Sequence, residues 1–316
     1  MTTAMKVSDY MQSLAKRLQE DRKIAESTAT QYLQTLHKLN NSKPFNNLAW
    51  AKKFDEVQKV IDTYAPSTQG NQYMVLASAL STVMDKSTYK SAYNHWRDKM
   101  MEARKERNEK PANEKSEKQE ENWLSWEDVT AKKNALKEDI SHFVGNKHLT
   151  PSQYDKLLQF LVISLYTDIQ PRRNQDYLDM FVVKRLPKNY DKTKNYYDIA
   201  TQRFIFNKYK TAKKHGEQIE SVPDELRSTL RTYLSHHPLR SSKELKLLVK
   251  HDGSPLNTVN SITRILNRIF GKKAGSSMLR HSFLSSKYGD MMKQLESDTN
   301  TMGNTPAVAI SDYIKY

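Results

Sequence analysis

The stretch 102–122 (EARKERNEKPANEKSEKQEEN) carries almost no apolar side chain, mixes both signs of charge and contains Pro111. No core can be built from it, so it reads as a linker with helical ends, and the chain on either side must bury a core of its own. The expected organisation is a helical domain over 1–105, a charged linker over 106–122 and a second domain over 123–316. A chain of 316 residues is long enough for two such cores.

Residues 1–105 read as helical throughout. Tyr32, Leu33, Leu36 and Leu39 fall on one face of a helix over 28–39, with Ser27 or Thr28 as its N-cap. After Ala65-Pro66, Ser67 can cap a second helix with the stripe Tyr73, Leu76, Leu80 and Val83. Tyr89, Tyr93, Trp96 and Met100 mark a third, and their helical period assigns these aromatics to a core rather than to a base-stacking platform.

Beyond the linker, Ser125 can cap a helix starting in Trp123-Leu124-Ser125-Trp126. The strongly apolar run 151–166 (PSQYDKLLQFLVISLY) is a helix with Pro151 in its first turn. The alternating segments 202–209 and 217–222 read as a hairpin whose tip, Lys210-Thr211-Ala212-Lys213-Lys214-His215-Gly216, is basic. Helices follow over 224–236, 257–270 and 278–290, with Glu296 and Asp298 in a loop. The fold class is mainly α with a small antiparallel β-sheet.

Lys plus Arg number 51 against 36 Asp plus Glu, a formal charge of +15. A surplus that large points to a polyanionic partner, of which nucleic acid is the commonest. The mixed sign of the linker argues against a dedicated nucleic-acid tail. The absence of Cys removes disulfides, thiol nucleophiles and zinc–thiolate sites and fits a reducing, intracellular compartment. No apolar run reaches membrane-spanning length and the N-terminus lacks a signal-peptide pattern. His236-His237 have no companion at metal-ligand spacing, Glu296 and Asp298 lack the partners of a two-metal nuclease, and no GxxxxGK[ST] phosphate loop occurs.

The chemistry concentrates near the C-terminus. Met278-Leu279-Arg280-His281-Ser282-Phe283 is followed by Met302-Gly303-Asn304-Thr305 and, nine residues after Asn304, by Tyr313. An arginine can hold a phosphodiester bidentately, the turn can offer another donor, and a phenol can attack phosphorus. Upstream, the turn after the apolar helix contains Pro171-Arg172-Arg173-Asn174-Gln175-Asp176.

This ordered set resembles the tyrosine recombinase (phage-integrase) family, of viral or mobile-element type. The family carries a His-x-x-Arg-His box, a Leu-Gly-His turn and a Tyr at this spacing, and a Thr-Gly-Leu-Arg-x-x-Glu turn upstream. The resemblance implies a helical core-binding domain and a catalytic domain that close around duplex DNA. It implies strand cleavage and rejoining through a 3′-phosphotyrosyl link to Tyr313, with Tyr316 as a rival. Arg280 and Arg173 become the phosphate clamps, Arg173 preferred to Arg172 because Asp176 stands three residues on.

Lys210 matches the lysine that protonates the leaving oxygen, with Lys213 and Lys214 as competitors. Asn304 takes the place of the turn histidine, and His281 supports the site by hydrogen bonds. Ser277 stands where the family has the first His of its box, a departure, since serine is no acid–base group near neutral pH. Arg172, Lys213, Lys214, Lys272 and Lys273 are expected on DNA. Neither a metal nor another cofactor is implied, and four protomers on two sites are expected. The location would be wherever the DNA is, in a nucleus, viral factory or prokaryotic cytoplasm. Two other readings stay open: a type IB topoisomerase or telomere resolvase, and a DNA-binding relative without catalysis, which Ser277 and Asn304 would favour.

Overall fold

Ser8 opens the first helix. Its hydroxyl accepts from Met11 N at 3.2 Å and donates to Phe45 O at 2.6 Å, satisfying one of the orphan donors of α1 (Asp9–Arg22). The structure, a computed structural model, describes residues 7–83, 87–109, 115–240, 242 and 245–315, apart from the side chain of Lys118. Tyr316 and residues 110–114 of the expected linker, Pro111 among them, lie outside the described residues. The chain divides into two units, Met1–Glu114 and Lys115–Tyr316.

In the first unit α1 is followed by α2 (Glu26–Leu39), a 3-10 turn at Ala49–Lys52, α3 (Phe54–Asp62), α4 (Pro66–Ser81) and α5 (Ser87–Glu109). Leu33, Leu36 and Leu39 are buried as their spacing predicts, together with Tyr73, Leu76, Leu80 and Val83. Two caps differ from expectation. Ala25 and Ala65 precede α2 and α4 with no side-chain cap, so Ser27, Thr28 and Ser67 lie inside the first turns. Glu26 favours the positive end of α2, and Pro66, at the first position of α4, lacks one of the orphan N–H groups of a helix start. Trp96 is fully buried, donates its indole N–H to Ala51 O at 2.8 Å and stacks on Tyr73.

The second unit contains α6 (Glu117–Asn122), α7 (Trp126–Ser141), α8 (Pro151–Thr167), α9 (Asn174–Leu178), α10 (Ala212–His215), α11 (Asp224–Ser235), α12 (Val259–Phe270), α13 (Ser276–Thr301) and α14 (Pro306–Val308). Ser125 caps α7 in a reciprocal capping box with Asp128, and Thr150 does the same for α8 with Gln153. Helix α8 is the centre of this core: Leu157, Leu161, Val162, Ile163 and Tyr166 are wholly buried.

Among the described residues five short strands form one sheet in the order β4-β3-β2-β1-β5: β1 (Met180–Val183), β2 (Asn195–Asp198), β3 (Arg203–Phe206), β4 (Gln218–Ser221) and β5 (Leu245–Lys246). The hairpin read at 202–222 is β3 and β4, paired antiparallel from Arg203↔Ser221 to Phe206↔Gln218. The sheet is mixed rather than purely antiparallel, because β1 and β2 pair in parallel; residues 184–194 carry the chain back to start β2 beside the start of β1.

Helix α13 also departs from the sequence reading. It runs past residue 290 to Thr301 and so takes in Glu296 and Asp298, which were expected in a loop. It ends in a Schellman cap. Gly303 adopts φ 71°, its N–H reaches Asn300 O, and Asn304 N reaches Thr299 O at 2.8 Å, bonds that the left-handed glycine makes available.

Candidate functional site

The turn between α8 and α9 is locked from three sides. The Tyr166 hydroxyl donates to Asn174 Oδ1 at 2.6 Å, and Asn174 Nδ2 reaches Val259 O and Thr263 Oγ1 on α12 at 3.1 and 2.9 Å. Asn195 on β2 makes all four bonds that an amide can make. It donates to Asp176 O and Lys208 O and accepts from Asn207 N and Lys208 N, at 2.7–2.9 Å. One buried side chain thus ties α9 to the root of the hairpin tip. At the end of α8, Lys133 bridges Asp168 and Glu225, the latter at 3.0 Å. Burial raises the Asp168 pKa, and Lys133 opposes that shift.

These restraints shape a cavity of about 250 Å³. Pro171, Arg172, Arg173 and Asp176 line it from the turn, Tyr209, Thr211, His215 and Gln218 from the hairpin, and Arg280 from the first turns of α13. Three arginine residues, from two segments more than a hundred residues apart, therefore line one small, open space.

The three arginines are differently engaged. Arg172 Nε donates to Asp176 Oδ2 at 3.0 Å and Nη2 to Gln218 Oε1 at 2.9 Å; its guanidinium lies 3.8 Å from the centre of the Phe206 ring. Asp176 is buried, which raises its pKa against the pull of Arg172, and its Oδ1 has no hydrogen-bond partner. The Arg173 side chain has no hydrogen bond or ion pair among the described residues. Arg280 Nη2 donates to Ser277 Oγ at 3.3 Å, while its buried Nε has no partner. Among the described residues Arg173 and Arg280 thus form no ion pair, whereas Arg172 is held by Asp176 and lies 4.0 Å from Glu220.

The other expected residues lie elsewhere. Lys210, Lys213 and Lys214 are exposed on the hairpin tip, form no ion pair among the described residues and do not line the cavity. His281 is exposed and makes no hydrogen bond among the described residues. Its neighbour Ser282 is the buried anchor instead, donating to Leu124 O at 2.6 Å. Lys272 Nζ donates to Trp123 O and Lys273 N to Asn122 Oδ1.

Asn304 follows the Schellman cap of α13, and Tyr313 ends a π-helical turn, Ala309–Tyr313, 63% exposed. Neither lines the cavity. At about 1.5 Å per residue, α13 puts roughly 30 Å between Arg280 and Thr301 along its axis. Among the described residues no three His, Cys, Asp or Glu side chains could hold a metal ion, and no helix is long and apolar enough to cross a membrane.

Sequence reasoning missed His215 and Asn195. His215 stands among the lysines of a basic tip, where the sequence does not single it out; Asn195 carries no local signal, since its partners lie 12–19 residues away.

No protein-family model matches the chain, and no curated protein matches it. Among solved structures, the crystal structure of XerA recombinase aligns with a TM-score of 0.35 and 14% identity, over 87% of this chain and 83% of that one.

Proposed function

We propose that the chain is a DNA strand transferase of tyrosine-recombinase type, cutting and rejoining duplex DNA through a 3′-phosphotyrosyl link to Tyr313. The observation that carries the reading is that Arg172, Arg173 and Arg280 line one cavity of about 250 Å³, with no ion pair on Arg173 or Arg280 among the described residues. A scissile phosphodiester gains negative charge in its pentavalent transition state, and fixed guanidiniums are the groups that hold such charge without a metal. Arg173 and Arg280 are the clamps and Arg172 supports the turn through Asp176. Lys210, Lys213 and Lys214 form a basic tip able to meet the DNA backbone, and Lys272 and Lys273 add contacts beside the Arg280 helix. The excess of cations over the whole chain, +15, fits a duplex as partner. Four protomers on two sites would exchange strands in pairs, as the resemblance implies.

Attack by Tyr313 requires a rearrangement of the C-terminal segment, because Asn304 and Tyr313 lie beyond the far end of α13 from Arg280. The same geometry favours a second reading, a DNA-binding protein that holds a phosphate without cutting. Incubation with a nicked suicide duplex separates the two. A covalent protein–DNA adduct that disappears in Tyr313→Phe supports strand transfer; tight binding with no adduct supports the binding protein. Plasmid relaxation without two-site recombination would assign the cutting activity to a topoisomerase instead.

A further inference from the structure

We infer that His215 is the acid that protonates the leaving 5′-oxygen, an assignment that rests on the strand-transfer reading above. Among the titratable side chains lining the cavity are Arg172, Arg173, Asp176, Tyr209, His215 and Arg280. Arginines do not give up a proton in proteins. Asp176 is bonded to Arg172, and the Tyr209 hydroxyl donates to Gly216 O at 2.7 Å. The imidazole is the one group type left that changes charge near neutral pH. Its ring makes no hydrogen bond among the described residues and it is exposed, open to a substrate oxygen and to solvent. Lys210, Lys213 and Lys214 share the tip but do not line the cavity.

The tip is built to hold this residue. His215 is the last residue of α10, its N–H bonded to Thr211 O at 3.1 Å. Gly216 follows with φ 68° and ψ −158°, a conformation essentially confined to glycine. That turn sends the chain into β4 while leaving His215 at the cavity, and the Tyr209 hydroxyl pins it from across the tip. Sequence departures agree with the assignment: Ser277 and Asn304 stand where two imidazoles would be expected, so a proton-transfer group has to come from another element.

In the cleavage step the Tyr313 oxygen forms a bond to phosphorus and loses its proton to solvent. The bond from phosphorus to the 5′-oxygen breaks, and that oxygen takes the imidazolium proton of His215 to leave as a hydroxyl. In religation the neutral imidazole recovers a proton from the attacking 5′-hydroxyl, and the tyrosine is released with a proton from water. The arginines stay charged throughout. The charged and polar groups that share the cavity with His215 are Arg172, Arg173 and Asp176 on the turn, Arg280 on α13, and Tyr209, Thr211 and Gln218 of the hairpin, with Lys213 and Lys214 just before it on the tip.

The test uses full-length protein and two nicked suicide duplexes, one ordinary and one with sulfur replacing the leaving 5′-oxygen. A thiolate is a far weaker base than an alkoxide and leaves without an acid. His215→Gln and His215→Ala should slow adduct formation on the oxygen duplex by about 10²-fold or more. On the sulfur duplex both should cleave within a few-fold of the unsubstituted protein, with DNA binding unchanged. Equal slowing on both duplexes, or no slowing on either, overturns the assignment, as does sulfur rescue of Lys210→Ala in place of His215→Gln. If the unsubstituted protein forms no adduct with either duplex, the strand-transfer reading itself falls and this one with it.

Discussion

Arg172 and Asp176 are joined by a 3.0 Å bond between Nε and Oδ2, with the carboxylate almost wholly buried. The pairing decides which of two adjacent arginines is structural. Asp176 lies three residues after Arg173, the spacing that suggested it would orient that side chain, yet its side chain holds Arg172, while its backbone N–H bonds Arg173 O. The Arg173 side chain makes no hydrogen bond or ion pair among the described residues, although its charge acts on Asp176.

Arg173→Ala should therefore fold normally, bind DNA nearly as well, and form adduct about 10²–10³-fold more slowly, the loss typical of a transition-state charge donor. Arg172→Ala should act first on stability. It strands a buried carboxylate whose pKa burial already raises, at a cost of about 3 kcal/mol. Thermal melting and adduct kinetics on both variants distinguish the roles, and a normal melting temperature for Arg172→Ala would refute the structural assignment.

The exposed second half of α13 leads to a prediction about Tyr313. Leu284, Tyr288, Met291 and Met292 on that helix are all more than 40% exposed, and Gly289 sits among them with no atom within 4 Å of an added Cβ. Glycine costs a helix interior about 1 kcal/mol relative to alanine, so Gly289 is where this helix is easiest to open. If Tyr313 reaches the Arg280 cavity by bending there, Gly289→Ala should slow adduct formation by up to about fivefold while raising the helical content of the segment. Tyr313→Phe should abolish adduct and leave binding intact. Adduct that survives in Tyr313→Phe but is lost in Tyr316→Phe would move the nucleophile.

What was legible in the sequence follows physical scale. The helical faces around Leu36, Leu76 and Leu161 repeat every three to four residues, and that period survives in a single chain. The turn at Gly303 was expected from the resemblance to the family's Leu-Gly-His turn, and its left-handed glycine (φ 71°) is what makes it the cap of α13. Strand β2, Asn195–Asp198, was not, since all four of its positions are buried and no alternation marks it. The length of α13 was hidden for the opposite reason: residues 284–298 place almost nothing in a core, so no apolar period extends through them. The arginine cavity was half legible. Arg173 and Arg280 were expected there from the resemblance to the tyrosine recombinase pattern, although the Asp176 spacing used for Arg173 belongs to Arg172; His215 enters the cavity only through the three-dimensional turn at Gly216.

Stability of the second unit should fall in mild acid through His237. This residue is 1% exposed. Its Nδ1 accepts from Leu239 N at 3.1 Å, so its proton sits on Nε2, 3.0 Å from Lys246 O. Burial lowers its pKa, only partly offset by the Lys246 carbonyl. The unfolded chain thus binds a proton that the folded one resists. The stabilisation is complete above the unfolded value near 6.5 and is lost as pH falls below it toward the folded value, by about 1.4 kcal/mol per unit of separation. Denaturant titrations of the unsubstituted protein and His237→Asn at pH 8 and pH 5.5 should show their stability difference shrinking in acid. A constant difference would mean that His237 does not titrate on unfolding.

Salt dependence tests whether both units grip DNA. Each phosphate neutralised by Lys or Arg releases condensed counterions, so log affinity falls linearly with log salt at about 0.9 per contact. The +15 charge is more than the arginine cavity and hairpin tip can account for, which leaves cations elsewhere in the chain to meet the duplex. Residues 115–316, a unit with its own core, should bind a given duplex far more weakly than the full chain and with a shallower slope. Adduct formation by that fragment should persist at high protein concentration, because Arg173, His215, Arg280 and Tyr313 all lie within it. Equal slopes and equal affinities for the two proteins would show that the first unit makes no phosphate contacts, and would leave it a protein-interaction module.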